Sequence, residues 1–327
     1  MKDISVVVTG GCGFIGTNLV FELLKRGADV TVLDLPSADW SHLPAEIKAV
    51  RANILDRASL LRAFDGAEIV YHLAARTDLD GRRLSDYRAN FEGAENVIEV
   101  LKDSKTLRKF VLYSTQLVVG LFDETRFIDE GEPYRTKTLY GESKIIAEKT
   151  TIAKCGEFNI PYVIVRPTSV YGPWGQSPYR DFFRAIKNGR YFHVGKANNL
   201  VSLVYVENLV DLTLLLSVQE SANNQIFFGN DFHPYTMREI VEEAARYYKV
   251  RVYTIPAFPT TAAAYVLGLF KLLGFDVPLY PSRLRNITAN YCYDIQKSVR
   301  SGYDPRIGLA EGIRRTLDWY EQRDSLN

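Results

Sequence analysis

From the first residues onward, short unbroken apolar runs alternate with longer segments whose apolar positions recur every three to four residues. The runs ISVVV, VTVLD, IKAV, EIVYHLAA, KFVLYST and PYVIVRP read as strands. Between them, FIGTNLVFELLKRG, DRASLLRAF, a segment near residues 84–103 and the segment that opens with TLYGESKIIAEK read as helices. Strands that are apolar on both faces and separated by helices predict a parallel sheet covered on both sides, an α/β doubly wound layout. After about residue 170 the alternation breaks up in YGPWGQSPYRDFF, and the chain ends in an amphipathic helix at LAEGIRRTLDWYEQ. We therefore expect one domain over residues 1–170. Residues 171–327 would form mainly a smaller mixed α/β annex, interleaved with the last strands of the first domain.

Composition narrows the partners. With 46% hydrophobic and 24% charged residues among 327, the chain has the balance of an ordinary globular protein. Its net charge of +1 recommends neither nucleic acid nor an anionic membrane, so any bound anion must be gripped locally. Cys12, Cys155 and Cys292 are odd in number and scattered, which argues against a disulfide framework and a zinc site. His42, His72, His193 and His233 lack ligand spacing, so no metal is expected. The opening MKDISVVVTGGCGFIG is too short in apolar residues and too rich in glycine for a signal peptide, and a cytoplasmic protein is expected. The stretch TTAAAYVLGLFKLLGF is interrupted by Lys271 and too short to span a bilayer; it reads as a helix of the annex.

The first strand runs into VVVTGGCGFIGTNLV, where Gly10, Gly13 and Gly16 sit between a strand and a helix. Bare backbone there lets a pyrophosphate approach the helix N-terminus and its unpaired N–H groups; a tight turn with glycines for packing is the bland alternative. The second strand ends in Asp34, whose carboxylate would accept hydrogen bonds from the adenosine ribose and repel a 2′-phosphate, which favours NAD over NADP. Capping of the following turn is the other reading of Asp34. Further along, Tyr140 and Lys144 lie four residues apart, so on a helix they share one face and can reach one bound molecule.

Together these motifs resemble the extended short-chain dehydrogenase/reductase family, which includes nucleotide-sugar epimerases and dehydratases, and the resemblance covers nearly the whole chain. It implies a Rossmann-type sheet, NAD as cofactor, and a homodimer packed through helices near residues 90–103 and 140–154. Its glycine pattern matches Gly10, Gly13 and Gly16, with Phe14 and Ile15 between them. The family's acidic residue falls on Asp34, and its Asp-Ile pair at the adenine appears as Asn53-Ile54. HLAA matches at His72 to Ala75, assigning Leu73, Ala74 and Ala75 to the cofactor, as the resemblance also does for Asn90, Pro167 and Thr168. The active-site tyrosine and lysine match Tyr140 and Lys144, and the catalytic hydroxyl falls on Thr115, with Ser114 beside it as the lesser candidate.

A phenol with an ordinary pKa near ~10 is a poor base, so Tyr140 needs a neighbouring positive charge, which Lys144 and oxidised nicotinamide would supply. Family members that eliminate water carry an acid pair after the catalytic hydroxyl, whereas this chain has Gln116 and Leu117, which do no acid–base work. A 4,6-dehydratase is thereby disfavoured, and an epimerase or ketoreductase acting on a nucleotide sugar is expected. Ser169, Arg180 and Arg283 are the candidate substrate contacts beside Thr115. Ser169 stands where many sugar-nucleotide relatives have Asn, and Val201 where an Arg is common. Both departures point to 3β-hydroxysteroid dehydrogenase-like and flavonol reductase-like relatives, so an apolar-alcohol dehydrogenase is the first alternative. A non-catalytic NAD-binding regulatory protein is the second.

Overall fold

The computed structural model describes residues 1–120, 126–260, 266–267 and 288–324. Its centre is a seven-stranded sheet built from β1 (Ser5–Thr9), β2 (Asp29–Asp34), β3 (Lys48–Arg51), β4 (Ile69–His72), β5 (Lys109–Tyr113), β6 (Tyr162–Pro167) and a late strand, Gln225–Gly229. The spatial order is late strand, β6, β5, β4, β1, β2, β3, with every neighbouring pair parallel. Parallel strands require crossovers, and helices supply them on both faces. One face carries α1 (Phe14–Lys25) and the helix Val206–Val218; the other carries α3 (Arg88–Leu101) and α4 (Leu139–Phe158).

The expected strands all form. The expected helix in DRASLLRAF is only one turn, α2 (Arg57–Leu60), and the segment near 84–103 begins as a 3₁₀ turn before α3 takes over. Two separate apolar cores follow from the two covered faces: Val6, Val8, Leu19 and Leu209 lie in one, Val7, Leu33, Ile98 and Ile164 in the other. Alternate residues of β1 thus go to opposite sides.

The second half of the chain forms its own packed cluster. The strands Ser169–Tyr171 and Leu203–Tyr205, α5 (Tyr179–Lys187), the helix Met237–Tyr248 and the C-terminal helix Leu309–Asp324 enclose Tyr171, Phe183, Tyr205, Ile240 and Leu317. The Gln225–Gly229 strand, although late in sequence, completes the first-half sheet beside β6. Most of the apolar stretch at residues 260–275, together with Arg283, lies outside the described residues. Among the described residues no helix is long and apolar enough to cross a membrane.

Candidate active site

The helices after β1 and β4 leave the sheet on opposite faces, which opens a crevice outside the carboxyl ends of these two adjacent strands. A cleft of about 710 Å³ lies there. It is lined by Gly10, Gly13, Phe14, Ile15, Gly16, Asp34, Asn53 and Ile54 from the half of the sheet with β1, β2 and β3, and by Leu73, Ala74, Ala75, Tyr140, Lys144, Pro167 and Thr168 from the other.

The glycine loop fits a pyrophosphate on two counts. Gly10 has φ +73°, and a Cβ there would sit 2.6 Å from the Ala74 nitrogen. A Cβ on Gly16 would run into the Gly10 carbonyl, so only glycine lets α1 start this close to β1. The first-turn N–H groups of α1 have no partner within the helix and stand at the part of the cleft that Phe14, Ile15 and Gly16 line. At the far end, Asp34 is fixed by the backbone N–H groups of Cys12 at 2.9 Å and Leu35 at 2.8 Å. Its carboxylate also holds the Cys12 thiol, whose pKa burial and Asp34 raise to about 12. A carboxylate and a cradle of bare backbone N–H groups, set at two places on one cleft, are the acceptor and donor set a dinucleotide needs.

At the other end, α4 and the end of β5 converge. Thr138 caps α4, its hydroxyl accepting from the Gly141 N–H at 3.0 Å, and this fixes the first turn that carries Tyr140. One turn later Lys144 Nζ donates to the Tyr113 carbonyl at the end of β5, at 2.9 Å. Thr115, two residues on, hydrogen-bonds Tyr140 and so lowers the phenol's pKa, although burial outweighs it and leaves Tyr140 at about 12. Burial lowers Lys144 to about 8, with the Glu148 carboxylate opposing the shift. The expected effect of Lys144 on the phenol is not what dominates here: in the protein alone the phenol is neutral, and an added positive charge is what would bring it toward ionisation.

Several expected residues take other positions. Asn90 is buried and does not line the cleft. It accepts from the Arg76 N–H at 2.7 Å and donates to the Arg76 carbonyl and to Ser143 Oγ at 3.0 and 2.9 Å, which clamps the loop after β4 to α4. Ser169 also lies off the cleft lining, its hydroxyl hydrogen-bonded to Tyr179. Arg180 faces away: its guanidinium pairs with Asp324 of the C-terminal helix, so an ion pair on the outer surface replaces the expected substrate contact. Arg283 lies outside the described residues. Residues that sequence reasoning missed complete the wall, among them Arg76, Tyr113, Gln176, Ser177 and Tyr179. Their signal was positional, since Arg76 directly follows HLAA and residues 176–179 directly follow the VYGPWG turn.

Among the described residues no group of His, Cys, Asp and Glu is arranged to hold a metal ion. Residues 6–227 match the model of the NAD dependent epimerase/dehydratase family. Sequence relatives include the 3beta-hydroxysteroid-dehydrogenase/decarboxylase isoform 2 of Arabidopsis thaliana, 28% identical over 95% of this chain, which spans 61% of that protein's length. They also include the 3 beta-hydroxysteroid dehydrogenase/Delta 5-->4-isomerase of Mycobacterium tuberculosis, 28% identical over 96% of this chain and 90% of the relative. Among solved structures, the UDP-glucose 4-epimerase of Thermotoga maritima superposes with a TM-score of 0.79 at 22% identity, covering 99% of this chain and all of the other, a likeness of fold.

Proposed function

The chain belongs to the NAD dependent epimerase/dehydratase family, and from that premise we propose that it oxidises and re-reduces one ring carbon of a nucleotide sugar, as an epimerase, or as a ketoreductase where a ketosugar is supplied. The observation that carries the reading is that Tyr140 and Lys144 line one end of a cleft whose other end has the glycine cradle and Asp34, while Thr115, off the lining itself, hydrogen-bonds Tyr140. The glycine loop and first turn of α1 would hold the pyrophosphate, Asp34 the adenosine ribose, and Asn53 and Ile54 the adenine. Bound nicotinamide supplies hydride acceptance and return at the substrate carbon. Tyr140 takes the proton from the substrate hydroxyl and gives it back in the reverse direction. Thr115 would donate to the same oxygen, and Lys144 would hold the nicotinamide ribose. Gln116 and Leu117 have no acid–base capacity, which keeps water elimination outside this chemistry.

An epimerase keeps its cofactor, and the chain has a strap suited to that. Residues 173–178 run beside the cleft, tied to α1 by Asn18, which donates to the Pro173 carbonyl at 3.0 Å, while Gly175, Gln176 and Ser177 line it. Incubation with UDP-, GDP- and dTDP-sugars, followed by chromatographic separation of epimers, tests the reading. Interconversion without added NAD supports it; inertness toward all of them, with no change in nicotinamide absorbance, contradicts it.

A second reading, oxidation of an apolar secondary alcohol, has its own support. Ser169 is engaged by Tyr179 and Arg180 by Asp324, which leaves Arg76 and Lys144 as the cations among the described lining residues. A diphosphate wants more positive charge than that. Turnover of a steroid alcohol with added NAD, and none of any sugar nucleotide, would establish this second reading.

A further inference from the structure

Among the described residues Arg166 is the largest of the fully buried side chains, and it faces a carboxylate, Glu148, that has no exposure. Its Nε and Nη2 donate to the two oxygens of Glu148 at 2.9 and 2.7 Å. The same carboxylate accepts from the Ser114 hydroxyl and, at 2.9 Å, from the Tyr134 hydroxyl. The guanidinium lies over the Tyr134 and Phe228 rings. Buried ion pairs are frequently replaceable by apolar side chains without loss of stability, so the informative feature is what this pair joins.

It joins the three elements that carry the acid–base centre. Glu148 is one helical turn beyond Lys144 on α4. Ser114 stands between Tyr113, whose carbonyl accepts from Lys144, and Thr115, which bonds Tyr140. Arg166 precedes Pro167 and Thr168, both in the cleft wall. We propose that Glu148 and Arg166 are positioning residues of the acid–base centre: the pair holds the β5 rim, α4 and the end of β6 in register and keeps a negative charge beside the Lys144 ammonium. This rests on the roles of Tyr140 and Lys144 given above.

The other groups around Lys144 do not supply that charge. On its own helix Tyr140 is held neutral by burial. On β4, His72 is buried and neutral, hydrogen-bonded to Thr9 Oγ1. β5 offers the Tyr113 carbonyl, and β6 offers Arg166, already engaged by Glu148. Burial raises the Tyr134 phenol, so it too carries no charge at neutral pH. Among the described residues, Glu148 is the carboxylate whose charge acts on Lys144.

The test reads NAD affinity by calorimetry against pH, on protein freed of any retained NAD, beside kcat. In the wild-type protein, affinity falls as pH rises through about 8, where Lys144 loses its proton. Glu148→Gln moves that fall toward acid by about one pH unit and lowers kcat about tenfold with KM unchanged, and Glu148→Asp restores both. Should the single variant not fold, Glu148→Met combined with Arg166→Met leaves no buried charge unpaired, and the same displacement is expected. A folded double variant with the wild-type pH dependence and wild-type kcat overturns the proposal. If instead Lys144→Met binds NAD as the wild type does at every pH, the assignment of Lys144 fails, and the positioning role falls with it.

Discussion

At the scale of single residues, placement at the cleft was legible wherever a motif fixes both residue type and position in the fold. Gly10, Gly16, Asp34, Tyr140 and Lys144 all line the cleft, because each is tied to the end of a strand or the first turns of a helix. Asn90 and Arg180 went elsewhere for a physical reason: each found a nearer partner, Asn90 in the Arg76 backbone and Ser143, Arg180 in Asp324. Sequence spacing does not reveal such competition, because the partners come from remote parts of the chain. The Tyr140 phenol, pushed up to about 12 by burial, is protonated in the protein alone. Tyr140→Phe should therefore leave NAD affinity within about twofold of wild type and reduce kcat about a thousandfold, the scale of a lost general acid–base group. Equal loss of affinity and of kcat would mean that the phenol serves binding instead.

At the scale of elements, the alternation of apolar runs and helical segments foretold the sheet, because buried parallel strands and amphipathic helices leave different periodicities. Short elements were less visible. The helix expected in DRASLLRAF collapses to Arg57–Leu60, and a two-residue strand such as Leu200–Val201 leaves no periodicity to read. The start of α4 is the element boundary on which the site depends, since the Thr138 cap lies two residues before Tyr140. Thr138→Ala removes the acceptor for the Gly141 N–H and should cost about 1 kcal/mol in denaturant unfolding. Fraying of this first turn should also lower kcat more than NAD affinity, because Lys144 lies a full turn deeper. An unchanged kcat beside the stability loss would show that the cap does not position the phenol.

At the scale of the whole molecule, the second half of the chain does two things to the first. It lends the Gln225–Gly229 strand to the sheet and lays a strap beside the cofactor cleft. The strap is fastened from outside as well: Trp174 packs against Trp319 and lies beneath the Arg323 guanidinium of the C-terminal helix. We expect a homodimer, to be checked by light scattering at micromolar concentration, with a monomer contradicting it. On the proposed epimerase reading, this architecture retains NAD so that hydride removed from a substrate carbon can be returned to it. Mass spectrometry of the supernatant from freshly purified, denatured protein tests it most directly. NAD released in near-equal amount to protein is the expected result; a supernatant free of NAD, from protein that binds it only when it is added, would contradict internal recycling.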